Sequence, residues 1–172
     1  MPRGLRDIRR KIKSIKSTRQ VTKAMELISA AKMRKAVQNA QQLRRYASAT
    51  WEVLQRVAAA NPDLDLTLEQ RPPKKILAII FTTERGLTGG LNAKHIRMAT
   101  QYVKHVQALP TFESIDFIVM GKRGQQFLAR TGQKILGAFP LPSAATSFRD
   151  VRAAVRMASD SFTTRTHDHV VL

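Results

Sequence analysis

The chain has 172 residues, with 30 Lys and Arg against 12 Asp and Glu, giving a net charge of +18. It contains no cysteine, which excludes disulfides, thiol catalysis and cysteine-based metal sites. No apolar run approaches a membrane-spanning length, no secretory signal is visible, and the charge implies a polyanionic or acidic partner: nucleic acid, anionic lipid or acidic protein.

The charge is concentrated at the front: residues 1–61 carry a net +12 and residues 62–172 a net +6. Leu5, Ile8, Ile12 and Ile15 recur at steps of 3, 4 and 3, and Thr18, Val21, Met25 and Ile28 continue the stripe. Leu43, Ala47, Thr50, Leu54 and Val57 extend it at steps of 4, 3, 4 and 3. Such a narrow seam is nearer to a coiled-coil stripe than to the broad face of a globular helix. No Pro or Gly interrupts residues 5–60, so one helix is predicted, stopping at Asn61-Pro62. Its length would be roughly 85 Å. The basic, serine-containing start has the composition of an organellar transit peptide, but the unbroken period past residue 20 favours the helix. Arg6 and Arg10, and Arg9 and Lys13, are like charges four apart and repel. A helix of this kind needs a partner along its length. A basic helix paired for architecture alone stays open as a reading.

Residues 62–74, with Pro62, Pro72 and Pro73, read as a linker. Ile76 to Phe81 is a continuous apolar run, as in a strand buried on both faces. Asn92 is expected to cap a helix to Leu109 with the seam Ile96, Ala99, Val103, Val106; Pro110 closes it. Ile115–Met120 reads as a second strand, and a short helix with Phe127 and Leu128 ends near Gly132. Ile135–Phe139 reads as a third strand. Ser147 and Asp150 have capping-box spacing and open a helix expected to turn Phe148, Val151, Val155, Ala158 and Phe162 to one face. A fourth strand starts at His169. Alternation of this kind predicts an α/β fold: a Rossmann-like parallel sheet with flanking helices over 75–172, after the long helix of 1–61. The apolar strand at residues 169–172 leads to the expectation that more chain follows, making the 75–172 domain incomplete at its C-terminal end.

Little in this pattern suggests catalysis. Gly86-Leu87-Thr88-Gly89-Gly90 stands where phosphate loops stand, but its spacing fits neither common nucleotide motif. The end of the second strand reads Met120-Gly121-Lys122, with no acid for a ribose. The glycines are therefore expected to serve a tight turn, in positive-φ or close-packed positions. Gly121-Lys122-Arg123-Gly124 reads as a solvated turn, and Glu84-Arg85 as a local ion pair. His167 and His169 could share one side of a strand, but no third ligand is evident for a metal. No serine has a recognisable base and acid, and no cofactor is expected. Nucleic-acid binding by the basic helix is the alternative. However, Tyr46 and Trp51 are its only large aromatics, and the apolar seam runs through the basic stretch instead of following it.

Three stretches together identify a family resemblance. LRDIRRKIKSIKSTRQVTKAMELISAAKMRKA at residues 5–36, ERGLTGGLN at 84–92 and VMGKRGQQFLARTG at 119–132 resemble the gamma subunit of the F-type ATP synthase, its central rotor shaft. Thr88 stands where that family usually has cysteine. The resemblance implies a non-catalytic subunit of a proton-transporting complex, coupling rotation to ATP synthesis in a ring of alpha and beta subunits. It implies that the seam Leu5, Ile8, Ile12, Ile15, Val21, Met25 and Ile28 faces a carboxy-terminal helix in an antiparallel coiled coil. It also implies that Lys23 and Met25 face beta-subunit loops and that Arg9 and Arg10 lie in the bearing region. Arg85, Gly86, Gly89, Gly90 and Asn92 would form a loop of the foot, near epsilon and the c-subunit ring. No specific nucleic acid is implied. The membrane is met only through the complex, peripherally, on the cytoplasmic face of a bacterial plasma membrane. Family members are considerably longer. The resemblance therefore implies a chain truncated at its C-terminus, lacking the second shaft helix.

Overall fold

A computed structural model describes residues 3–60, 67, 69–141 and 147–172. The chain divides into two compact units, Met1–Trp51 and Glu52–Leu172. Helix α1 runs Arg3–Ala60 without interruption. The expected stop at Asn61-Pro62 and, within the 62–74 linker, residues 62–66 and 68 lie outside the described residues.

The remaining elements are β1 Lys75–Phe81, α2 Leu91–Gln107, β2 Ser114–Met120, α3 Lys122–Arg130, β3 Ile135–Phe139, α4 Phe148–Thr163 and β4 His169–Val171. The sheet order is β3-β2-β1-β4, and every pairing is parallel. The α/β class and the long leading helix are as the sequence predicts. Because the chain steps from β1 to β2 to β3 in one direction and then crosses back to β4, right-handed crossovers must put α4 opposite α2 and α3. The packing agrees. Ile76, Ala78, Ile115, Phe117 and Val119 meet Val106 of α2 and Leu128 of α3 on one face. Leu77, Ile79, Ile118 and Met120 meet Ala154 and Ala158 of α4 on the other. β1 and β2 are buried on both faces, which explains the unbroken apolar run of β1 and the apolar residues on either side of Asp116 in β2. Fully enclosed residues such as Phe117 and Ile118 each stabilise the fold by about 1.5–3 kcal/mol.

The helix ends follow local chemistry. α3 closes with Gly132 at φ +67 and a bond from the Gln133 N–H to the Leu128 carbonyl at 3.0 Å, a Schellman arrangement. At the start of α4 the Asp150 carboxylate accepts the Ser147 backbone N–H at 2.7 Å.

Two local expectations need correction. α4 turns Val151, Ala154, Met157 and Ala158 inward and leaves Phe148 and Val155 exposed. The two alanines let the helix approach the sheet closely, and that contact outweighs the larger side chains on the neighbouring stripe. Asn92 does not cap α2: the helix begins at Leu91 with Gly90 at the cap, and Asn92 lies in its first turn.

Candidate functional site

On α1 all seven seam residues, Leu5, Ile8, Ile12, Ile15, Val21, Met25 and Ile28, are exposed; even Ile12, the most covered, is 48% accessible. The Lys and Arg side chains around them are exposed as well. Only Lys23 has a partner there, Glu26 at 3.4 Å, one helical turn on and equally exposed. Such a pair is worth about 0–1 kcal/mol and leaves Lys23 free to exchange partners. Arg9 and Arg10 carry no ion pair among the described residues. α1 therefore offers an exposed apolar stripe inside a cationic surface.

The β1–α2 loop is built around Asn92. Its Oδ1 accepts the Thr83 N–H at 3.1 Å, and its amide donates to Thr83 Oγ1 at 2.8 Å and Thr88 Oγ1 at 3.2 Å. Thr83 in turn donates to the Arg85 carbonyl at 2.7 Å. Of the three loop glycines only Gly89 has positive φ; the second such position is taken by Leu87, whose side chain is 97% exposed. Gly86 is the close-packed one, since a Cβ there would lie 3.3 Å from Arg123 Nη2, whereas Gly90 has neither positive φ nor a close neighbour. Arg85 is exposed. Glu84 is no partner for it: the carboxylate accepts the Leu141 N–H at 2.6 Å, tying the loop to the chain after β3.

The Gly121–Gly124 turn is not simply solvated. Lys122 and Arg123 are exposed, but both glycines are buried against Thr82. Gly121 sits at φ +99, and a Cβ there would collide with the Thr82 carbonyl. Thr82 Oγ1 accepts the Gly124 N–H at 2.7 Å, where any larger residue would displace it. At the switch point between β1 and β4 lies a cavity of about 350 Å³, lined mainly by Ile80, Phe81, Met98, Ala99 and Val171. Tyr102 borders it, and burial raises its phenol above the ordinary value. This lining offers no set of donors for phosphates or a ribose.

The histidines separate. Arg165, at φ +59, turns the chain after α4 so that the Thr166 and His167 N–H groups both donate to the Ser161 carbonyl. His167 is driven inward to 2% exposure, while His169 begins β4 exposed, so they do not share a face. The His167 ring joins Ser161 Oγ, 2.5 Å from Nδ1, to Asp116 Oδ2, 3.2 Å from Nε2. Lys134 Nζ adds a 2.8 Å contact to the same carboxylate. Sequence reasoning missed this serine–histidine–aspartate chain, because Asp116 looks like an ordinary strand residue. It is not arranged for nucleophilic catalysis. The acid is on Nε2 and the serine on Nδ1, opposite to the usual triad. The N–H groups nearest the serine are spent on its own carbonyl, leaving none for an oxyanion. The cluster satisfies buried polar groups where β2, α4 and the turn before β4 meet.

Among the described residues no helix is long and apolar enough to cross a membrane.

The sequence matches the ATP synthase family over residues 4–172. It is 34% identical over 170 residues to the ATP synthase gamma chain of Cupriavidus necator, covering 98% of this chain and 58% of that one. It is 44% identical over 133 residues to that of Pelotomaculum thermopropionicum, covering 77% and 45%. With that of Legionella pneumophila the identity is 34% over 171 residues, covering 98% and 59%. The chain thus spans less than two thirds of the length of these curated relatives.

Proposed function

This chain belongs to the family of ATP synthase gamma chains, and on that premise we propose that it is a non-catalytic central-stalk subunit of a proton-transporting ATP synthase. The observation that carries the reading is α1, 58 residues long, cationic, with an exposed apolar seam. Its role is mechanical. The seam takes a second helix, making a two-stranded shaft inside a ring of alpha and beta subunits. Lys23 and Met25 face beta-subunit loops, and Arg9 and Arg10 belong to the bearing. Many exposed charge contacts, each worth about 0–1 kcal/mol, let a shaft pass from one partner to the next. A buried, well-aligned pair would hold it in one place. The Asn92-braced loop with Arg85, Gly86, Gly89 and Gly90 belongs to the foot, next to epsilon and the c-subunit ring. The complex is peripheral on an energy-transducing membrane, at the cytoplasmic face of a bacterial plasma membrane, and reaches the bilayer only through its partners. No cofactor is needed by this chain, because nucleotide chemistry belongs to the ring.

The relatives give the nucleic-acid alternative no support. Such a reader would bind duplex with affinity falling about 0.9 log unit per log salt for each neutralised phosphate.

The test is assembly and coupling. The chain is expected to co-elute with alpha and beta subunits in size-exclusion chromatography, and failure to do so would sink the assignment. In a complete complex Met25→Lys is expected to lower proton pumping more than ATP hydrolysis. Pumping that stays proportional to hydrolysis would count against the placement of Met25 at the beta loops.

A further inference from the structure

The stretch leading into β1 is tied to α4 by groups that the stalk reading leaves without a role. Arg71 lays its guanidinium over the Phe162 ring, 4.2 Å from the centroid. Its Nη1 donates to the Phe162 carbonyl at 2.9 Å, and Nη2 lies 2.8 Å from Glu69 Oε2. The side chain is only 9% exposed, and Nε has no hydrogen-bond partner. Arg165 reaches the same Glu69 at 3.4 Å. The short Arg71 contact above all, helped by the Arg165 charge, holds the Glu69 carboxyl below its ordinary value despite some desolvation. Further along, the Lys75 N–H donates to Asp168 Oδ2 at 3.0 Å and the Asp168 N–H donates to the Lys75 carbonyl at 2.8 Å. Residues 69–75 are therefore fastened twice to the C-terminal end of α4 and the turn that follows it.

A buried guanidinium with an unpaired nitrogen is a costly way to fill space. What arginine adds is direction. The ring face resists lifting and the carbonyl bond resists sliding, and a lysine ammonium cannot make the same planar contact.

We propose that residues 69–75 form a strap locked by Arg71, through which load carried by the chain from α1 enters the α/β unit at α4 and not through β1 alone. The load-bearing half of this proposal rests on the central-stalk reading; the strap itself does not.

The strap is tested by amide exchange on the full chain. In Arg71→Met, exchange at Lys74, Lys75 and Arg165 to Asp168 is expected to quicken about tenfold while the centre of β1 is unchanged. Arg71→Lys is expected to fall on the same side. Methionine keeps much of the apolar stem, so native exchange in a folded Arg71→Met overturns the strap. Should that variant not fold, Phe162→Leu removes the ring face, and native exchange at the same amides would likewise overturn it. The load is tested in the assembled complex. Lowered pumping with native hydrolysis in Arg71→Met supports it, and full pumping with a demonstrably loosened strap overturns it. A chain that does not assemble at all overturns the stalk reading, and with it the load, while the exchange result for the strap still stands.

Discussion

The basic helix and the α/β unit treat their apolar residues in opposite ways. In the sheet, Ile76, Leu77, Phe117 and Ile118 are enclosed by their own chain, with helices on both faces. On α1, Leu5 to Ile28 keep the same kinds of side chain in the open. One region closes its core with contacts it makes itself. The other leaves its apolar stripe exposed among the described residues and surrounds it with like charge. The polar groups differ in parallel: in the α/β unit Asp116 and His167 are buried, the Arg71 side chain is largely covered, and all three are bonded, whereas on α1 the described charges are exposed and, Lys23 and Glu26 apart, form no ion pair. On the stalk reading proposed above, the region that carries load is the one locked by directional contacts, and the region that changes neighbours is the one that is not.

The sharpest way to break that contrast is at Gly121. Gly121→Ala forces a Cβ onto the Thr82 carbonyl at a φ that side chains avoid, and should destabilise the α/β unit by about 3 kcal/mol or more. A shift in the denaturation midpoint followed by sheet signals reads this; a shift under about 1 kcal/mol would mean that the turn relaxes freely. Next in size is His167→Ala, which leaves Asp116 buried with Lys134 as its remaining side-chain contact, at a cost of about 2 kcal/mol. His167→Gln, which can still donate to Asp116, should recover part of it. Equal losses for the two would show that the ring contributes volume and not its hydrogen bonds. The smallest effect is expected on the helix. Ile12→Ala in the chain alone should cost less than about 0.5 kcal/mol, because nothing is packed on it. With a complementary helix bound, the same change should cost about 2–5 kcal/mol. A large loss in the isolated chain would show that the seam is already covered.

The two regions were also unequally legible. α1 was readable from end to end, since its period, its lack of Pro and Gly and its charge are local properties. The strands β1 to β3 were readable for the same reason, β1 as a continuous apolar run and the others as short, mainly apolar segments between turns. The face of α4 was misplaced: hydrophobicity ranks Phe148 and Val155 above Ala154, whereas close packing on a sheet favours the small residue. Glu84 and the Gly121–Gly124 turn were assigned to neighbours in sequence, but bond between the ends of different strands; Asn92 was assigned to a helix cap, but braces the loop through Thr83 and Thr88.

The amino acids by themselves determined the order of the elements, the parallel sheet and the cationic helix with its seam, because periodicity and charge act over a few residues along the chain. The tertiary structure alone decided that Asp116 would find His167, 51 positions away, and that Arg71 would find Phe162, 91 positions away. Those pairs depend on which strand ends lie side by side. That adjacency follows from the crossover from β3 to β4, which lies beside β1, and no local pattern carries it.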